Sequence, residues 1–423
     1  MFWTTNTSQP KYDYRDAAVL AQRETLKTWE IEMKITDVKL SDPWYVHGKE
    51  STDATVVNPA IRATSLLEIT TDEGVSGFTA VSELHIGPQD GSLKKLLIDH
   101  AFKPLVVGED PLDTERIWDK MYWGSVRWGR RGVALAVIGS IDIALWDLKG
   151  KMLGQPVHKL LGAHRDTVAA YGSSVSLNVS EEELVGIYSG YVEAGFKMVK
   201  MKVGKRDSNE DLERVKLIRE IIGPNVDLAL DVNSGWSLNA ALRMCERLEP
   251  YNIYWLEEPL PPDEIDNHVK LARETSIPIA VGETHATKWE FKELMEREAI
   301  QIVQADIVRC GGVTEWVKIA AIADAYGLPM CPHATTDLAA SLVAAVPNGL
   351  FVECFRTSAD PAGASPFVDP VLPKNGEISP NQKPGFGIEI DDEVLAKLQA
   401  GPKPDPEELW FATKRGWQWP PYL

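Results

Sequence analysis

The stretch FKMVKMKVG, Phe196 to Gly204, decides how this chain is read. Met198, Val199, Met201 and Val203 mark a buried strand, yet Lys200 and Lys202 sit within it. Residues two apart on a strand share a face, so both ammonium groups point the same way. Crowding of like charges lowers a lysine pKa towards the range where the amine serves as a base. The plainer alternative is a strand end with two lysine heads in solvent. The flanking sequence has to choose.

From Thr167 onward, short apolar runs alternate with helical patterns. The runs are VAAYGSS, FKMVKMKV, VDLALDV, IYWLEEP, IPIAVGE, IQIVQAD, LPMCPH and LFVECF. Alternation of this kind implies parallel strands joined by crossover helices, and eight such runs predict an α/β fold closed into a (β/α)8-type barrel. Upstream, strand patterns begin at Ile31 and at Ala63–Thr71, with a polar break at Thr71–Gly74. Helical patterns follow at Leu93–Phe102, Pro111–Tyr122 and Val133–Leu153. The expected organisation is an N-terminal extension over 1–29, with a helix from Tyr14 to Trp29, and an α+β unit over 30–155. A barrel over 156–356 follows, then a Pro- and Gly-rich segment over 357–423 that returns to the α+β unit. The polar segment Asp42–Arg62 reads as a long loop, and loops of this length are usually functional or mobile.

The 423 residues carry a net charge of −18, which repels phosphate backbones and anionic membrane surfaces. No nucleic-acid or membrane partner is expected. The N-terminus lacks the apolar core of a secretory signal, and the most apolar segment, Gly132–Leu145, is too short and too charged to span a bilayer. Cys245, Cys310, Cys331 and Cys354 have no metal or disulfide spacing, as expected of reduced thiols in a cytoplasmic protein.

Active sites of such barrels lie at the C-terminal strand ends. Those ends carry Lys200 and Lys202, then Asp231, Glu257, Glu283, Asp306, His333 and Glu353. Of 423 positions 62 are acidic, about one in seven, so acids at three named places arise by composition on the order of once in three hundred. Asp231, Glu257 and Glu283 are spaced 26 residues apart on neighbouring strands. Three carboxylates at one barrel mouth repel unless a cation sits between them, and an all-oxygen set favours Mg²⁺ or Mn²⁺. Glu257 and Glu258 should point opposite ways, leaving one of them as ligand. His333 and Asp306 end adjacent strands, and a carboxylate beside an imidazole orients it as a general base.

KMK, DVN, LEEP, GET, QADIVRCGG, CPH and VECF occur in an order and spacing that resemble the mandelate racemase group of the enolase superfamily, over the chain from about Ile31. The resemblance implies a modified (β/α)7β TIM-type barrel with an α+β N-terminal capping domain, and an essential Mg²⁺. It implies Asp231, Glu257 and Glu283 as metal ligands, and Lys202 as one acid/base with Lys200 tuning it or contacting a substrate carboxylate. His333, paired with Asp306, is implied as the other acid/base, and Glu353 as a hydrogen-bonding electrophile. A symmetric homo-oligomer is implied as well.

Members with this Lys/His pair include racemases and acid-sugar dehydratases. The polar cap segment and the arginines Arg127, Arg130 and Arg131 favour a polyhydroxylated acid over an aromatic one. His47, Arg62, Asn233 and His285 are the expected substrate contacts. The expected activity is therefore dehydration of a sugar acid to a 2-keto-3-deoxy acid. A racemase or epimerase of an α-hydroxy acid is the first alternative, and a non-catalytic binding protein the second.

Overall fold

The computed structural model describes residues 33–47, 51–55, 57–58, 61–82, 91–174, 176–355 and 366–403. The expected extension over 1–29 and its helix lie outside these residues. Described residues from Lys34 onward belong to one compact unit.

The first layer is a four-stranded antiparallel sheet. Its strands are β1 (Ile35–Leu40), β2 (Trp44–His47), β5 (Ile61–Thr71) and β6 (Ser76–Ser82), with β5 at the centre. A short hairpin of β3 (Ser51–Thr52) and β4 (Val57–Asn58) lies between β2 and β5. The polar break at Thr71–Gly74 is the β5–β6 turn, where Gly74 takes φ +76°. The segment expected as a loop thus carries a sheet strand. Within it Trp44 is buried with its ring edge-on to Phe367 at 6.2 Å. That contact comes from the far end of the chain, so local composition gave no sign of it. Helices Thr114–Ser125 and Val133–Leu153 cover the sheet.

The second layer is the barrel. Strands β7 (Val168–Ser173), β8 (Met198–Lys202), β9 (Asp227–Asp231), β10 (Ile253–Glu257), β11 (Ile279–Val281), β12 (Ile302–Val303) and β13 (Phe351–Cys354) form a parallel ladder in the order β12-β11-β10-β9-β8-β7-β13. Helices join them, as the alternating pattern implies. The run LPMCPH, expected as a full strand, contributes only Met330, which bridges Val303 on one side and Gly349 on the other. Pro329 and Pro332 flank it and lack the N–H groups a longer ladder needs. The architecture is a modified barrel under an N-terminal cap.

The remaining chain ties the layers together. Strands β14 (Phe367–Val368) and β16 (Glu389–Ile390) pair with each other, and β15 (Glu377–Ile378) adds antiparallel to β7. The segment therefore reaches the barrel as well as the cap, where the Gln399 amide donates to the Asp42 carbonyl at 2.9 Å. Two fully buried acids of helix Val133–Leu153 act as pins. Asp147 accepts from the Phe78 and Phe386 N–H groups, at 2.9 and 2.8 Å. Asp142 accepts from the Thr314 N–H at 2.8 Å and its hydroxyl at 2.6 Å, while Trp146 donates to that hydroxyl. Burial pushes the Asp142 pKa up to about 7, and the Thr314 hydrogen bonds work against that rise. Gly312 is required here, because a Cβ would lie 2.5 Å from the Asp142 carboxylate.

Asp142→Ala leaves two buried donors on Thr314 without their acceptor. A loss of about 1–3 kcal/mol is expected, read as a lower thermal midpoint. An unchanged midpoint would contradict the pinning role.

Candidate active site

Alternation along the strands sets the barrel interior. Tyr171, Met198, Trp255, Ile302 and Cys331 belong to an apolar floor. Two residues further along the same strands stand Ser173, Lys200, Glu257, Gln304 and His333, so a polar ring rests on that floor. Glu283 does not obey this phase, since Ala280 already belongs to the floor. Gly282 resets it. The chain there passes so close to β12 that a Cβ would lie 2.5 Å from the Gln304 carbonyl carbon.

Oxygens of Asp231, Glu257 and Glu283 lie within 4.8 Å of one another. Lys200, with a side chain only 2% exposed, reaches Glu257 Oε1 at 2.6 Å, Glu353 Oε1 at 2.8 Å and Asp231 Oδ2 at 3.4 Å. Lys202 donates to Asp231 Oδ2 at 2.6 Å and to Asn233 Oδ1 at 2.7 Å. At the other end of the triad, His333 Nδ1 donates to Asp306 Oδ2 at 2.8 Å, which leaves Nε2 3.4 Å from Glu283 Oε2. Two backbone N–H groups, of Val308 and Arg309, fix the second Asp306 oxygen. Lys202 therefore stands at the first carboxylate and His333 at the third.

The charges here correct the expectation of a lysine pKa lowered by its neighbour. Burial does pull both lysines down, but the carboxylates outweigh it, chiefly Glu257 for Lys200 and Asp231 for Lys202, and both pKa values rise. Burial also lowers that of His333, yet Glu283, Asp306 and Glu353 lift it to about 9. Glu257 is pushed up to about 8, by burial first and then by Asp231. For Glu283 burial works upward, but His333 and Arg309 bring the value below the ordinary one. The cavity holds more buried carboxylates than its cations can ionise together. All three triad donors are oxygens, and Glu283 Oε2 is buried with no hydrogen bond. This set fits a hard divalent cation.

The remaining expected residues divide. Asn233 lies in the site, with φ +45°, bonded to Lys202. Glu353 is buried, and its Oε2 accepts from the Ala334 N–H at 2.8 Å. His47 and Arg62 lie on β2 and β5, and their side chains fall outside the described residues. The charged groups that act on His285 are His268, Arg131 and Asp263, none of them a triad acid. His285 follows Gly282 in a turn beyond the strand, so alternation no longer applies. Its ring lies 6.0 Å from Phe291, and its pKa is lowered to about 4 by burial and then by His268. Arg127, Arg130 and Arg131 are exposed, and Arg131 is tied to Asp263 and Glu290.

Three residues of the site went unrecognised in the sequence, and Glu258 was read only as pointing opposite to Glu257. Trp255 and Gln304 donate to Glu257 Oε2 at 3.1 and 2.6 Å. Trp255 sits on an inward position of β10 and Gln304 directly follows β12 in the same phase, so the alternation that found Lys200 also pointed to them. Arg309 donates to the Glu283 carbonyl at 3.0 Å and lies 3.4 Å from Oε1, from a turn where no periodicity applies. Glu258, expected to point away, is buried and accepts from the Thr284 hydroxyl at 2.6 Å, because φ +37° breaks the strand there.

Residues 40–162 match the mandelate racemase / muconate lactonizing enzyme N-terminal domain, and residues 187–394 match the enolase C-terminal domain-like family. The arabinonate dehydratase of Saccharolobus solfataricus is 38% identical over 338 residues, covering 78% of this chain and 89% of that protein. The chain belongs to the mandelate racemase group of the enolase superfamily. Another relative is a 3,6-anhydro-alpha-L-galactonate cycloisomerase of Streptomyces coelicolor, 30% identical over 78% of this chain and 90% of that one. Among solved structures, the L-talarate dehydratase of Polaromonas sp. JS666 complexed with Mg and L-glucarate superposes with a TM-score of 0.75. It is 32% identical, covering 86% of this chain and 97% of that chain.

Lys200→Met removes the buried cation between Glu257 and Glu353. Stripping one partner from a buried pair costs about 3–5 kcal/mol, so thermal unfolding in EDTA is expected to shift down markedly. The double variant Lys200→Met/Glu353→Gln, with one carboxylate fewer to neutralise, should recover part of that loss.

Proposed function

We propose that this protein is a Mg²⁺-dependent sugar-acid dehydratase. The observation that carries the reading is the placement of two proton-transfer groups, Lys202 and the His333–Asp306 pair, at opposite ends of one carboxylate triad. The arabinonate dehydratase relative and the talarate dehydratase complexed with Mg and L-glucarate support the choice of metal and of substrate class. Four buried cysteines that form no disulfide support a cytoplasmic setting.

Asp231, Glu257 and Glu283 would hold the cation, which supplies positive charge where the substrate carboxylate gains negative charge as its α-proton leaves. The chain's own groups move the protons. One of Lys202 and His333 takes the proton from the carbon next to the carboxylate. The other protonates the departing β-hydroxyl, which leaves as water, and the resulting enol becomes a 2-keto-3-deoxy acid. Asp306 keeps the His333 proton on Nδ1, so Nε2 is the atom that gives or takes a proton. Both groups hold their protons tightly among bare carboxylates, and positive charge within the triad weakens that hold. Lys200 and the Ala334 N–H hold Glu353 in place and ionised, a form that accepts hydrogen bonds, so the hydrogen-bonding electrophile expected of Glu353 would need a proton first.

Incubation with a panel of sugar acids in D₂O tests the assignment. Release of keto acid is the expected outcome. Deuterium in recovered substrate without water loss would instead indicate epimerisation, and absence of exchange with every acid would contradict both. Lys202→Met and His333→Asn should each lower kcat by about 10²–10⁴-fold. The variant that retains its base should still exchange the α-proton. Activity should vanish in EDTA and return with Mg²⁺, and full activity in EDTA would refute the metal assignment.

A further inference from the structure

Glu257 is held unlike the other two triad acids. Asp231 is bonded by Lys202 and by the Asn233 N–H, and Glu283 by Arg309, whose donor also serves the Glu283 carbonyl. Glu257 receives Lys200 on Oε1 and two neutral donors on Oε2, the Trp255 indole N–H at 3.1 Å and the Gln304 amide at 2.6 Å. Trp255 is fully buried and Gln304 is 1% exposed. The indole nitrogen can only donate, and with a cation in the triad Glu257 is a carboxylate that only accepts, so the Gln304 NH₂ faces it. The amide oxygen of Gln304 is then left buried with no hydrogen bond. The side chain thus forgoes a bond at one end to make one to Glu257 at the other.

We infer that Trp255 and Gln304 are positioning residues for the cation, acting through Glu257. The two donors enter from β10 and from just past β12, and meet on one oxygen. Together with Lys200 they fix the carboxylate plane and occupy Oε2, which leaves one lone pair, on Oε1, for a cation held by the triad. A neutral donor suits this place: another lysine would compete with the cation, and another acid would add to the surplus of negative charge. Groups that orient metal ligands from behind typically change metal affinity 10–100-fold when removed. The inference rests on the metal reading above but not on the identity of the reaction.

The test is direct binding of Mn²⁺ to metal-stripped protein without substrate, with free Mn²⁺ counted by electron paramagnetic resonance. Gln304→Leu keeps the volume and removes the donor, and Trp255→Phe keeps an aromatic ring and removes the N–H. Each should raise the Mn²⁺ dissociation constant about 10–100-fold, while kcat at saturating metal stays within a few-fold of the parent. Thermal melting of both stripped variants runs in parallel, and if one fails to fold the other decides. Variants that melt lower but bind Mn²⁺ as the parent does would reduce the pair to packing residues and overturn the inference. Loss of kcat at saturating metal with unaltered affinity would overturn it too. A parent protein that takes up no Mn²⁺ would refute the metal reading along with it, whereas parental uptake with unaltered variants would refute this inference alone.

Discussion

The constraint on which this structure depends is the gathering of three buried carboxylates, Asp231, Glu257 and Glu353, with the half-buried Glu283 in one cavity of the barrel. Removing so many like charges from water is expensive unless each meets a cation or several hydrogen bonds. Lys200 carries most of that burden. Its single ammonium touches three of the four, and it lies almost wholly out of solvent. Lys202, His333 and Arg309 share the rest from the rim. The balance still falls short of full neutrality, which is why Glu257 is driven towards protonation while Glu283 and Glu353 are held ionised. A cavity with this imbalance favours a divalent cation on electrostatic grounds alone.

Strand alternation made most of this legible before any coordinates. Lys200 and Lys202 share a face because they are two apart on β8, and Glu257 and Trp255 because they are two apart on β10. Where alternation ends, so did legibility. Glu258 departs from it through a positive φ and His285 lies past a turn, whereas Glu283, brought into phase by the close passage of Gly282 to the Gln304 backbone, was found by its spacing instead. Charge reasoning failed in a more instructive way. Two lysines side by side read as a pair that lowers each other's pKa, but the acids that reverse the sign lie 29 to 153 positions along the chain. A local reading sees the repulsion and misses the attraction.

The fold outside the barrel shows the same limit. The helix Val133–Leu153 was plain from its apolar pattern. The purpose of Asp142 and Asp147 within it was not, because their partners Thr314 and Phe386 belong to other layers. Likewise the β2 strand is short, and its buried Trp44 depends on Phe367 from the C-terminal segment. Long-range partners decide whether a polar residue is a surface group or a pin.

These pins matter for chemistry because the cap reaches the barrel mouth. Ala54 lies over Gly204 and Gly235, where any Cβ would come within 2.6 Å of it. Next to it, the Thr55 hydroxyl donates to the Asn233 carbonyl at 3.1 Å, and Asn233 in turn holds Lys202 through its side chain. Asn233 adopts φ +45°, a left-handed conformation that asparagine tolerates better than most residues. One residue thus joins the cap segment to the proposed proton-transfer group Lys202. The barrel carries the proposed acid and base groups, and the cap segment reaches their cavity. A shift of Thr55 therefore bears on Lys202 through a single intermediary, so the cap segment and the group proposed to work inside the cavity are mechanically joined.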